Sequence, residues 1–237
     1  MKKILIAAGF IVTLTFTSLT TVAQTQSRED ILKQIAAKRA ELAKLEALIL
    51  TPSDEDQAKY TDFLKSPDTG LFRLLSRDDG AGKSALTIRG GGAYYSFKER
   101  TNEYVNSSAL SLEQGELSAM FAGANYALLV NLGDVPLENV RLDASAAQVL
   151  AQHTPAADEP HARIEQRHSM EGATVDGISY RSRLPLRLNS TYLLRSVIYS
   201  TSDALVAFKV VRIDDDDSAI ILWKLLKKYP TPYLARN

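Results

Sequence analysis

The chain has no cysteine. It forms no disulfide, carries no thiol nucleophile and offers no thiolate to a metal. No cysteine follows the apolar N-terminal stretch either, so a lipid-linked cysteine anchor is excluded. Charge of one sign is also lacking, because 28 Lys and Arg balance 28 Asp and Glu. Removing Lys2 and Lys3 with a signal peptide leaves 26 basic against 28 acidic residues, a net of −2. A nucleic-acid binder needs a basic excess to displace counterions from phosphate, so no nucleic-acid partner is expected. Nor is attraction to an anionic membrane surface. Catalytic signatures are missing too: the chain has neither a Gly-x-Ser-x-Gly elbow nor a Ser-x-x-Lys pair. There is a single tryptophan, Trp223.

The N-terminus reads as an export signal. Lys2 and Lys3 form a short positive region, residues 4–16 an apolar one, and Thr21-Val22-Ala23 a cleavage site. Residues 1–23 are therefore expected to be a signal peptide, with a mature start at Gln24. An uncleaved anchor is the alternative, since residues 4–23 are just long enough to span a bilayer. The dense threonines weaken that span. After cleavage no integral membrane span is expected, which places the protein in a bacterial periplasm or outside the cell.

The mature chain opens with a helix. Ser27 followed by Asp30 is a capping pattern, and Thr51-Pro52 is a stop, so the helix is expected over residues 28–50. Ile31, Ile35, Leu42, Leu45 and Ile49 fall at heptad-like spacing, interrupted by Lys38. The stripe could pack on its own chain or build a homo-oligomer. A second capping pattern at Ser53–Asp56 starts a shorter helix that Ser66-Pro67 ends. Residues 24–66 are thus expected to be a helical extension.

Residues 67–237 read as a mainly antiparallel β domain, a sandwich or an incomplete barrel, making the fold class α+β. Strands are expected over residues 71–75, 85–89, 93–97, 117–122 and 126–132, with a tight turn or bulge at Gly90-Gly91-Gly92. Residues 142–152 look helical, 153–170 look like a loop with some helix, and 179–188 alternate like a strand. Residues 192–199, 204–213 and 219–226 are three apolar runs joined by polar turns, which is a meander. In the middle run Leu205, Ala207, Val211 and Ile213 line one face and Val206, Phe208 and Val210 the other. A strand apolar on both faces is buried on both, so it should be central.

The runs 86–97 (Leu-Thr-Ile-Arg-Gly-Gly-Gly-Ala-Tyr-Tyr-Ser-Phe) and 220–230 (Ile-Ile-Leu-Trp-Lys-Leu-Leu-Lys-Lys-Tyr-Pro) resemble those of uncharacterised secreted bacterial proteins. Those also have a signal peptide, a charged helix and a β-rich body. The likeness covers most of the mature chain and implies no activity or catalytic residue to carry over.

Four groups of residues have chemistry to weigh. Gly80-Ala81-Gly82-Lys83-Ser84 resembles the end of a phosphate loop, but Arg77 stands where that loop needs its first glycine. A hairpin turn explains it better. Asp214–Asp217 offers hard oxygens to calcium but lacks the spacing and glycine of a calcium loop. His161, Glu165 and His168 would share a helical face, with His153 and Glu159 nearby, yet match no zinc signature. No metal or cofactor is expected. Tyr94, Tyr95 and Tyr104, with Arg89 and Arg100 beside them, could form a platform for sugar or peptide. Because Tyr94 and Tyr95 point to opposite faces of a strand, one of them should be core.

The resulting expectation is an exported, non-enzymatic binding or structural module. Its partner is a protein or polymer, and its helix docks or oligomerises. The alternative is a hydrolase of a cell-envelope or extracellular polymer, whose carboxylates need only meet in space. A histidine set against an acid and a hydroxyl in a cleft would favour it. A β body beginning near Thr69 is expected to fold alone.

Overall fold

The computed structural model of the protein describes residues 27–77, 86–119 and 122–235. The expected signal peptide with its Ala23 cleavage site, and the Gly80–Ser84 stretch, lie outside the described residues. The chain falls into two units, divided between Ala43 and Lys44. Helix α1 (Arg28–Leu50) crosses that division.

In the first unit α1 is capped as its sequence requires. The Ser27 Oγ accepts from the Asp30 amide at 3.1 Å and donates to the Asp30 carboxylate at 2.7 Å. Exposed pairs Lys33–Glu29 and Lys38–Glu41 add the few tenths of a kcal/mol typical of such spacings. Ile31, Leu32, Ile35 and Leu42 are exposed. No described helix is long and apolar enough to cross a membrane.

The second unit begins with the end of α1 and two short helices, α2 (Asp54–Lys59) and α3 (Thr61–Leu64). Ser53 and Asp56 form a reciprocal capping box at the start of α2. These helices belong to the β body rather than to a separate extension. Tyr60, Phe63 and Leu64 pack into its core, and Asp56 receives Arg212 at 2.6 Å.

The strands are β1 (Thr69–Leu74), β2 (Tyr94–Tyr95), β3 (Leu110–Glu113), β4 (Glu116–Ser118) and β5 (Tyr126–Gly133). After α4 (Ser145–Gln152) and α5 (Glu159–Glu171) come β6 (Ala173–Val175), β7 (Ile178–Tyr180) and β8 (Arg183–Pro185). The meander β9 (Thr191–Ile198), β10 (Ser202–Ile213) and β11 (Ala219–Lys228) closes the fold. Five strands form one sheet in the order β1-β11-β10-β9-β5, and four form a second in the order β2-β3-β4-β8. Strands β6 and β7 make a separate hairpin. Every named strand pair is antiparallel. The fold is α+β, and β10 is the central strand.

The large sheet is buried on both faces because its central strands are apolar on both. On one face Tyr192, Leu194, Val206, Phe208, Val210, Ile221 and Trp223 meet Tyr95, Leu110, Leu112 and Leu117 of the small sheet. The rings of Phe72 and Tyr95 stack there with centroids 3.4 Å apart. On the other face Leu193, Leu205, Ala207 and Leu222 meet Val140, Ala146, Ala147 and Leu150 around α4. Helix α5 covers Tyr126, Val197 and Tyr199 through Ala162.

Three expectations change. A register shift between Val210 and Arg212 moves Ile213 to the small-sheet face, away from Val211. Strict alternation cannot pass through such a bulge. Residues 86–90 are not a strand: the Thr87 amide is taken by the buried Glu46 carboxylate, and a run of positive-φ glycines follows. Residues 159–171 are regular helix, started by the Asp158 side chain on the His161 amide at 3.0 Å and ended at Gly172.

Candidate functional site

One end of the large sheet's inner face is covered by the segment between β2 and β3 rather than by strands of the small sheet, and the packing there is incomplete. In register across β5, β9 and β10 stand Ala127, Ser196 and Ala204. Further along the same face the matching positions of β9 and β10 hold Leu194 opposite Val206 and Tyr192 opposite Phe208. The small row leaves a cavity of about 260 Å³. This is near the lower end of the range for ligand pockets.

Phe97, Ala109, Val206, Trp223 and Leu225 supply its apolar lining. Ser196, also part of the lining, is 4% exposed, and its Oγ has no hydrogen-bond partner. A buried hydroxyl left unpaired costs about 1–3 kcal/mol. Lys98, Arg100 and Lys228 bring three cations to the lining, and Asp68 brings a carboxylate. Lys228 lies opposite Ala204 and so extends the Ala127–Ser196–Ala204 row. Arg100 is held 3.5 Å from Asp68, with its guanidinium carbon 5.5 Å from the centre of the Trp223 ring. Lys98 donates to the Thr201 carbonyl at 3.3 Å.

The five residues expected to form a platform divide between three places. Arg89, Tyr94 and Tyr104 come together on the surface. The two tyrosine rings are 4.8 Å apart, and the Arg89 guanidinium lies 5.6 Å from the Tyr104 centroid. Gly90 makes this possible: with φ at 81°, it lies where a Cβ would run into both tyrosines. Arg77 donates to the Tyr94 hydroxyl at 3.0 Å. Tyr95 is core, as one member of the pair had to be. Burial pushes its hydroxyl up to about 12 against the pull of Trp223 and Arg100, although the indole N–H closes no hydrogen bond with it. Arg100 belongs to the cavity. Sequence patterning missed the cavity because Ser196 and Ala204 are ordinary strand residues until their register is known.

The histidines also separate. His161 Nδ1 sits 2.8 Å from Asp158. His153 Nε2 lies 2.5 Å from the Tyr126 hydroxyl and 3.9 Å from Glu165 Oε2. Burial lowers the His153 pKa, although Glu165 pulls the other way. The shift favours the neutral ring, whose Nε2 can accept from the Tyr126 O–H. This is a histidine against an acid and a hydroxyl, but it is not built for nucleophilic attack. One nitrogen meets both partners, whereas a triad uses the two nitrogens separately. Burial and Glu165 also raise the Tyr126 pKa, and the residue is 3% exposed, out of reach of a polymer. Asp214 is taken by Arg73 at 2.5 Å and Arg212 at 2.6 Å. No group of three or more His, Cys, Asp or Glu among the described residues is arranged to hold a metal.

Comparison with known proteins gives no relative: no protein-family model, curated protein or solved structure matches the chain.

Proposed function

We propose that the protein is an exported, non-enzymatic binding module whose ligand site is the cavity between the large sheet and the segment joining β2 to β3. The observation that carries this is Ser196, a buried, unpartnered hydroxyl in a cavity lined by both apolar and charged side chains. The surface group Arg89, Tyr94 and Tyr104 supports a second contact, with a polymer or protein partner. The sequence's likeness to secreted bacterial proteins supports export and supplies no activity. N-terminal sequencing of the exported protein should begin at or near Gln24, and full-length protein extracted with the membrane would oppose export.

The cavity is tested by filling it. A panel of small molecules is screened by thermal shift against the wild-type protein and Ser196→Leu. A stabilising compound that acts on the wild type and not on the filled variant supports the reading. A panel with no such compound opposes it, as does turnover of an envelope polymer.

Helix α1 is proposed to join two copies of the chain. Ile31, Ile35, Leu42, Leu45 and Ile49 are all exposed and fall within one stripe. An isolated helix of this length is marginal in water, and burying such a stripe stabilises it. Lys38 lies in the stripe and must reach out past the seam. Light scattering should show a dimer for the mature protein and a monomer after Ile35→Glu and Leu42→Glu. A wild-type monomer would end the proposal.

A further inference from the structure

We infer that the cavity around Ser196 takes a small apolar monocarboxylate, with its acid group over Ala204 between Ser196 and Lys228. This rests on the reading of the cavity as the ligand site.

The argument is one of register and of donors. Ser196, Ala204 and Lys228 occupy neighbouring positions on three adjacent strands. Strands lie about 4.8 Å apart, so Ser196 and Lys228 are roughly 10 Å apart at the backbone. Ala204 between them has only a methyl group. A lysine side chain leaning along that row leaves room for one small acceptor group between its ammonium and the Ser196 hydroxyl. The hydroxyl can donate, and the ammonium can only donate. Arg100 and Lys98 add further donors to the lining.

Acid groups offset this only in part. Asp68 is already held by Arg100 and Glu99 lies 3.5 Å from Lys98, whereas Lys228 has no carboxylate partner among the described residues. Asp203, also in the lining, is committed to Arg195 through two hydrogen bonds. The site therefore favours an anion with strong acceptor oxygens. Phe97, Val206 and Trp223 face whatever carries the acid, so that part should be apolar. A volume of about 260 Å³ suits a small tail.

Trp223 makes the test direct, because the chain's single tryptophan is part of the wall. Octanoate, octylamine and octan-1-ol share a tail and differ in the head, and none of them absorbs with tryptophan. Titrations follow Trp223 emission in the mature protein. Octanoate should saturate and bind about tenfold more tightly than octylamine, as expected for charge-assisted contacts to the acid group. Lys228→Gln should weaken octanoate roughly fivefold and leave octan-1-ol unchanged. Ser196→Leu should remain folded by circular dichroism and lose the response. Ser196→Ala, which keeps the space but removes the donor, should weaken octanoate selectively.

Octylamine binding as well as octanoate would overturn the inference, and so would an octanoate response that survives Ser196→Leu. No response to octanoate also overturns it. That result leaves the binding-module reading standing if the thermal panel has found another compound that Ser196→Leu excludes.

Discussion

The buried pair Arg195–Asp203 is the sharpest test of how the helical side of the large sheet is held. Both side chains are 2% exposed. Two parallel hydrogen bonds join them, Nε to Oδ1 at 2.6 Å and Nη2 to Oδ2 at 2.8 Å. A third N–H reaches the Leu150 carbonyl in α4 at 3.0 Å, and the guanidinium carbon lies 3.2 Å from the centre of the Tyr229 ring. In register, Arg195 has Leu205 on one side and Leu128 on the other, so neither charge has water to fall back on. Asp203→Ala strands a guanidinium that cannot shed its proton. The expected loss is about 3–5 kcal/mol, a large share of the 5–15 kcal/mol typical of a whole domain. For a chain of this size that lowers Tm by roughly 10 °C. Arg195→Met should cost less, because a lone carboxyl can protonate and burial already pushes Asp203 that way. The pair Arg195→Met with Asp203→Leu removes both charges and leaves apolar groups in an apolar layer. It should be more stable than Asp203→Ala and close to the parent. Urea unfolding followed by Trp223 emission gives all four stabilities. If the double variant is no more stable than Asp203→Ala, a stranded charge is not the cause of the loss and the reasoning is wrong.

Three further outcomes are expected. The His153 pKa lies below its ordinary value of 6.5, so the unfolded chain binds more protons as the pH falls. The contribution is fully present above about pH 6.5 and is lost on acidification, and His153→Gln should flatten the stability curve below about pH 6.5. Trp223, 2% exposed, should emit well to the blue of free indole, and Trp223→Ala should cost about 3–5 kcal/mol by urea unfolding. A chain cut to begin at Thr69 loses Phe63 and Leu64 from the core and the partner of Arg212. It should be several kcal/mol less stable than the mature protein, and equal stability would show that α2 and α3 are dispensable.

Much of the sheet was legible because the meander is apolar on both faces and its turns are polar. Each limit has a local cause. Hairpin β3–β4 turns on Gln114-Gly115 and hairpin β6–β7 on Asp176-Gly177, each with two positive φ values. Such pairs are turn signals in their own right, and short strands such as 110–113 and 173–175 become visible only when read from the turn outwards. Residues 85–89 have strand-like composition, but a carboxylate 41 positions away claims the Thr87 amide, and no local pattern encodes that. Tyr94 and Tyr104 were placed together by proximity in sequence. The cavity depends on the absence of bulk at Ser196 and Ala204, and absence of bulk has meaning only against neighbours on other strands.

The order of strands also fixes an order in time. Strand β1 pairs with β11 alone, joining residues 69–74 to residues 219–224. Until β11 exists, β1 has no partner edge and the large sheet lacks its second-to-last strand. Contacts this distant in sequence are slow to form, because loop closure precedes their reward. Strand β1 therefore waits unpaired until β11, far along the chain, has been made. That delay is compatible with the export proposed above, because a sheet whose edge strand is still unpaired is easier to keep unfolded than a finished one.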